Sequence, residues 1–127
     1  MTSKIPNKLK HTKDHEWVSE QGDIATVGIT DFAQGSLGDL VYIELPQIGR
    51  QVKKGEVIII VESCKAASDV YAPLSGEIIE VNEAAVSSPD VVNHSPYDAG
   101  WLVKIRANNH SEVNDLLNAD SYTELAA

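Results

Sequence analysis

The apolar positions of this chain come in short runs separated by glycine, proline and charge. Glu16-Trp17-Val18-Ser19 and Ile24-Ala25-Thr26-Val27 flank Gln21-Gly22-Asp23, where Gly22 can take the positive φ of a hairpin turn. Thr30 stands where a helix N-cap would, with Asp31 favourable in the first turn, and Gly35 and Gly38 keep that helix short. Val41-Tyr42-Ile43 reads as a strand that Pro46 closes. The most apolar run, Val57-Ile58-Ile59-Ile60-Val61, is β-branched and short, the pattern of a strand covered on both faces. Asp69 and Tyr71 then alternate with Val70 and Ala72 until Pro73 stops the run. Pro73-Leu74-Ser75-Gly76 predicts a turn in which Gly76 takes a positive φ and sets the exit of a strand over residues 77–81. Residues 82–100 predict a long connection broken by Pro89 and Pro96, and residues 101–105 the last strand. Ser111 predicts the N-cap of a helix that buries Val113, Leu116 and Leu117, and Ser121 with Glu124 has capping-box spacing for a final turn.

Short strands at close spacing with glycine and proline turns predict a mainly β fold, a sandwich or flattened barrel, with short helices in the N-terminal third and at the C-terminus. At 127 residues the chain is expected to form one domain, 1–127. Within it, 1–13 is a polar, loose lead-in, 63–68 a hairpin tip and 111–125 a C-terminal helical segment. A formal charge of −9 argues against nucleic acid or an anionic membrane as a partner. No apolar run approaches the ~20 residues of a membrane helix. Residues 1–10 lack the apolar core of a secretory signal and leave no space for a long transit peptide. That pattern suits a bacterial, cytoplasmic protein or the processed form of a mitochondrial matrix protein. The one cysteine cannot form an intrachain disulfide.

For catalysis the chain offers no GxSxG elbow, HExxH, CxxC or phosphate loop, and an enzyme is not expected. His11, His15, His94 and His110 lack metal-ligand spacing, so no metal is expected either. Attention falls instead on Lys65, one long side chain among Ser63, Cys64, Ala66, Ala67 and Ser68. On spacing alone it is either a solvated charge or an amine kept open for another protein to modify.

The stretch VESCKAASDVYAP, residues 61–73, resembles the lipoyl-lysine signature of the glycine cleavage system H-protein family. The likeness continues through residues 46–83 and outward through DHEWV (14–18), VGITDFAQGSLGD (27–39), VYIELP (41–46), NHSPYDAGWLVKI (93–105) and SYTEL (121–125). It implies the barrel-sandwich fold of lipoyl and biotinyl domains, with lipoic acid joined to Lys65 as an amide by a lipoylating enzyme. It also implies a monomeric, non-catalytic carrier in glycine catabolism and one-carbon metabolism. Such a carrier takes the aminomethyl group of glycine from a pyridoxal-phosphate glycine decarboxylase (P-protein) to a tetrahydrofolate-dependent aminomethyltransferase (T-protein). Dihydrolipoamide dehydrogenase (L-protein) then reoxidises it. A lipoyl relay serving other lipoate-dependent complexes needs the same tip. A biotinyl domain is disfavoured, because methionines usually flank its lysine where this chain has Cys64 and Ala66. The cationic cargo needs shielding, and Glu16 and Asp69 are the candidates, each with a solvated acid as its alternative. Cys64 departs from the small apolar residue usual in the family. It is either a small tip residue or a redox thiol beside a dithiolane cofactor.

Overall fold

The computed structural model describes residues 9–126. Among these residues nine strands form two sheets. The larger contains β1 (Lys10–His11), β2 (Glu16–Gln21), β3 (Ile24–Ile29), β5 (Gln51–Val52), β8 (Gly76–Val81) and β9 (Val103–Ala107), in the order β1-β2-β3-β9-β8-β5. The smaller holds β4 (Leu40–Glu44), β6 (Val57–Ser63) and β7 (Ala67–Tyr71), in the order β4-β6-β7. Neighbours are antiparallel throughout. Each sheet turns one face inward: Ile43, Ile59 and Val61 from the small sheet meet Val27, Ile78 and Ile105 from the large one in a single apolar core. This is the mainly β architecture that the strand spacing predicts.

Four short helices fill the corners. Thr30 caps α1 (Asp31–Leu37), its hydroxyl accepting the N–H of Ala33, and Gly38 ends it with φ 85°. Gly22 takes φ 65° between β2 and β3, as a hairpin turn requires. Residues 82–100 are not the irregular connection that their prolines predict. Asn82 caps α2 (Glu83–Ser87), and Pro89 opens α3 (Asp90–His94). Helices of five residues are too short to show a periodicity, so only the cap residue signals them.

Other boundaries shift for local reasons. Lys10–His11 is a strand, because His11 pairs with Trp17 on one side and exchanges backbone hydrogen bonds of 2.7 Å with Leu117 on the other. The loose lead-in therefore does not include it, and residues 1–8 of that lead-in lie outside the described residues. Residue 101 lies outside the last strand, which starts at Val103 and runs on to Ala107 opposite Gly76. Residues 110–115 form a 3-10 helix (His110–Asp115) capped by Asn109 rather than Ser111, and Val113, Leu116 and Leu117 are only half-buried. Helix α4 (Ala119–Ala126) starts ahead of Ser121, whose N–H the Asn118 side chain accepts at 2.8 Å. Val57 stays 38% exposed, because a bulge between Val57 and Ile59 turns that end of β6 outward.

Gly76 carries the largest correction. Its φ is not in the left-handed region. It lies in β8, between Val52 and Ala107, where a Cβ would run into the Arg106 carbonyl and stand 2.8 Å from Ile105 Cγ2. The position needs glycine for lack of space, not for backbone freedom.

Candidate functional site

Strands β6 and β7 build one hairpin, and its two ends have opposite characters. At the tip, β6 runs to Ser63 and β7 resumes at Ala67, so the turn is Cys64-Lys65-Ala66, narrower than the 63–68 that the small residues predict. Ser63 ties this turn together. Its N–H donates to the Ala66 carbonyl at 2.7 Å, and its Oγ accepts the N–H groups of Ala66 and Lys65 at 3.1 and 3.3 Å. Lys65 is exposed, and among the described residues its Nζ makes no hydrogen bond or ion pair. Its methylenes pass over Gly38, where an added Cβ would stand 3.8 Å from Lys65 Cε. Cys64 is a free, exposed thiol.

The base of the hairpin is closed. Glu16 is 2% exposed, and both its carboxylate oxygens are engaged. The Thr12 hydroxyl donates to Oε1 at 2.6 Å, and the Tyr71 N–H donates to Oε2 at 3.2 Å. Burial pushes its pKa up to about 7, outweighing the two hydrogen bonds that favour the carboxylate, and the nearby Asp14 charge pushes in the same direction. Glu16 and Tyr71 line a cleft of about 380 Å³, walled on the far side by Leu116 and Leu117. The ion pair of Lys54 Nζ with Asp115 Oδ2, 2.8 Å apart, belongs to the same rim.

Between the two ends, β7 presents Ala67, Asp69 and Tyr71 on one face and buries Val70 on the other. At ~3.3 Å per residue this face is about 13 Å long. Asp69 lies midway along it, exposed to solvent. Lys65, Asp69 and Glu16 thus do not meet. They are laid out in series, from tip to cleft, along one hairpin. Of the two acidic candidates, Glu16 is no solvated surface acid, whereas Asp69 stands in water.

Three neighbours escaped the sequence reading. His11 is fully buried with neither ring nitrogen hydrogen-bonded among the described residues, and its ring stacks on Tyr122 at 4.5 Å. The Tyr122 hydroxyl meets both His15 Nδ1 and Thr30 Oγ1 at 2.7 Å, which ties the C-terminal helix to the cap of α1. Asn93, in α3, contacts the corner below Lys65. These pairings join residues 53 to 111 positions apart, and of the three residues only Tyr122 and Asn93 fall within the matched stretches SYTEL and NHSPYDAGWLVKI.

An exposed amine without a partner among the described residues, small neighbours and a glycine beneath it suit acylation and a long attached arm. A family model described as Glycine cleavage H-protein matches residues 9–127. The glycine cleavage system H protein of Carboxydothermus hydrogenoformans is 48% identical over 123 residues, covering 97% of this chain and 95% of that protein. The protein of the same name from Thermotoga maritima is 53% identical over 118 residues, covering 93% of this chain and 95% of its own length. The crystal structure of a glycine cleavage system H protein from Mycobacterium marinum superposes with a TM-score of 0.88 at 43% identity, covering 94% of this chain and 97% of that one. With fold and sequence in agreement over nearly its whole length, the chain belongs to the glycine cleavage H-protein family.

Proposed function

We propose that Lys65 carries a lipoyl group as an amide and that the chain works as a single, non-catalytic carrier unit of glycine cleavage. Its cargo passes from the pyridoxal-phosphate decarboxylase to the tetrahydrofolate-dependent aminomethyltransferase, and dihydrolipoamide dehydrogenase resets the carrier. The carrying observation is the tip itself: Ser63 locks the turn, and Lys65 leaves it with no partner among the described residues. When attached, the lipoyl group supplies the dithiol chemistry. This chain's residues present it, hold it and keep its cargo from water. The tether keeps the reactive sulfurs at high effective concentration for successive partner sites. The bacterial relatives favour a cytoplasmic setting.

Glu16 and Asp69 divide the holding task in this proposal. Asp69, exposed midway along β7, offers a charge that an arm passing from tip to cleft can meet. Glu16 offers a desolvated carboxyl at the cleft, ready to ionise when an ammonium arrives. Such a charged contact is worth ~1.5–3 kcal/mol, about ten- to a hundredfold in the lifetime of the loaded arm. The exposed Cys64 thiol is expected to form disulfide dimers under a mild oxidant such as diamide, and Cys64→Val should abolish them on non-reducing electrophoresis.

Intact mass of the chain expressed with a lipoylating enzyme tests the attachment. The parent should gain one lipoyl group and Lys65→Arg none, because a guanidinium stays protonated and forms no stable amide. A lipoyl mass that persists in Lys65→Arg sinks the assignment. The carrier role is read by glycine–bicarbonate exchange with the decarboxylase. Faster formaldehyde release in Glu16→Gln or Asp69→Asn, at unchanged lipoylation, reads the shielding.

A further inference from the structure

The side chain of Asn93 uses its polar atoms on the corner beneath Lys65. Its Nδ2 donates to the Gly38 carbonyl at 2.9 Å and to Gln34 Oε1 at 2.8 Å. Its Oδ1 accepts the Leu40 N–H at 2.9 Å. The three partners bracket the junction between α1 and β4, where Gly38 turns with φ 85°. This is the residue over which the Lys65 methylenes pass. Leu40 in turn pairs with Ser63, whose hydroxyl closes the tip. The corner and the tip are therefore joined, and Asn93 is the side chain that holds the corner. Packing there is partial: α1 has two turns and no fully buried residue, and only its Ala33 and Leu37 lean on the core that Leu40 enters.

We propose that Asn93 is a positioning residue for the acylation of Lys65, clamping the Gly38 corner so that the lysine amine leaves the tip in one direction. This rests on Lys65 being the attachment point. In the step concerned, a ligase that has joined lipoate to ATP, with release of pyrophosphate, offers a lipoyl adenylate. The neutral Lys65 amine attacks its carbonyl, a C–N bond forms, the bond from that carbon to the phosphate oxygen breaks and AMP leaves. The amine proton passes to solvent. Alignment of amine and carbonyl matters in the transition state, whereas the ligase holds the remainder of the surface before and during it. Loss of the clamp should therefore lower kcat and spare KM.

The experiment follows acylation of the unlipoylated chain by lipoate–protein ligase, with lipoate and ATP, by intact mass over time. Asn93→Ala should lower kcat about tenfold with KM within twofold of the parent. Asn93→Asp keeps an acceptor for the Leu40 N–H but cannot donate to Gly38, and should show a loss of the same order even where Asn93→Ala folds poorly. Val18→Ala, a core truncation in the other sheet, is the stability control and should keep the parent kcat below its melting temperature. A parent-like kcat in either folded Asn93 variant overturns the proposal. So does an equal loss in Val18→Ala at matched melting temperature. A parent that gains no lipoyl mass at Lys65 defeats the attachment assignment itself and the proposal with it, a result distinct from the other two.

Discussion

His11 and Glu16 stand five residues apart on neighbouring strands, both buried, and the protein interior treats them in contrary ways. Glu16 has a hydroxyl and a backbone N–H on its two oxygens, and a cleft beside it. His11 has an aromatic ring against its face and no hydrogen-bond partner among the described residues. Burial favours the neutral form of each. For the acid this raises the pKa to about 7, and for the base it lowers the pKa to about 4. One consequence is functional: Glu16 titrates where a cell works, and His11 stays neutral there. The other is thermodynamic, because the two groups tilt stability against pH in opposite directions. A folded-state pKa raised from 4.5 makes stability fall as pH rises from 4.5 to 7. A folded-state pKa lowered from 6.5 makes stability fall as pH drops from 6.5 towards 4. Between 4.5 and 6.5 the two slopes oppose each other.

Separating them gives the largest expected effect. In Glu16→Gln the histidine slope stands alone, and stability should rise from pH 4.5 to 6.5. In His11→Phe the glutamate slope is opposed only by the lowered pKa of His15 and no longer by His11, and stability should fall over the same range. Urea unfolding of the two variants should diverge by up to ~3 kcal/mol per group, the upper limit of a 2.5-unit shift. Parallel pH profiles would show that one of the two groups is not desolvated.

Gly76→Val makes the contrast one of kind, because it crowds the interior with volume rather than charge. It should cost ~1–3 kcal/mol at every pH, since the obstruction is the Arg106 carbonyl and not a titrating group. A cost that varied with pH would tie Gly76 to one of the ionisable sites. Thr12→Val sharpens the acid side. It removes the 2.6 Å hydrogen bond to Glu16 and should cost ~1 kcal/mol, more above pH 7 than below, because that bond favours the carboxylate. Denaturant midpoints at pH 5 and 8 give the comparison. The smallest effect is expected for His11→Phe at pH 7, a gain of ~1 kcal/mol from removing two ring nitrogens that have no hydrogen-bond partner among the described residues while keeping a stacking ring. A loss there would mean that the imidazole has a partner, such as a buried water.

Much of this could be read in advance where the signal is local. Gly22 takes the positive φ that its turn demands, and Thr30 caps the helix that its position predicts. The run from Val57 to Val61 is a strand, with Lys65 beyond it at an open turn. The misses have a common cause. Gly76 looks like a turn glycine beside Pro73 and Ser75, yet its requirement comes from Arg106, 30 residues later. Asn82 and Asn109 cap helices too short to show a periodicity, and Asn118 starts α4 ahead of the Ser121 that its spacing with Glu124 pointed to. His11 falls in a polar lead-in and is buried only because Tyr122 and Leu117 return to cover it.

By itself, then, the sequence determined the longer strands, the hairpin turn at Gly22, and the small-residue tip that leaves one lysine exposed. Those depend on backbone sterics and neighbouring side chains. Only the tertiary structure decided which buried groups have partners, that Glu16 ends in a cleft and not in water, and that Asn93 holds the corner under Lys65. Desolvation and hydrogen bonding are set by what arrives from elsewhere in the chain, and a carboxyl or an amide looks the same in sequence whether or not anything arrives.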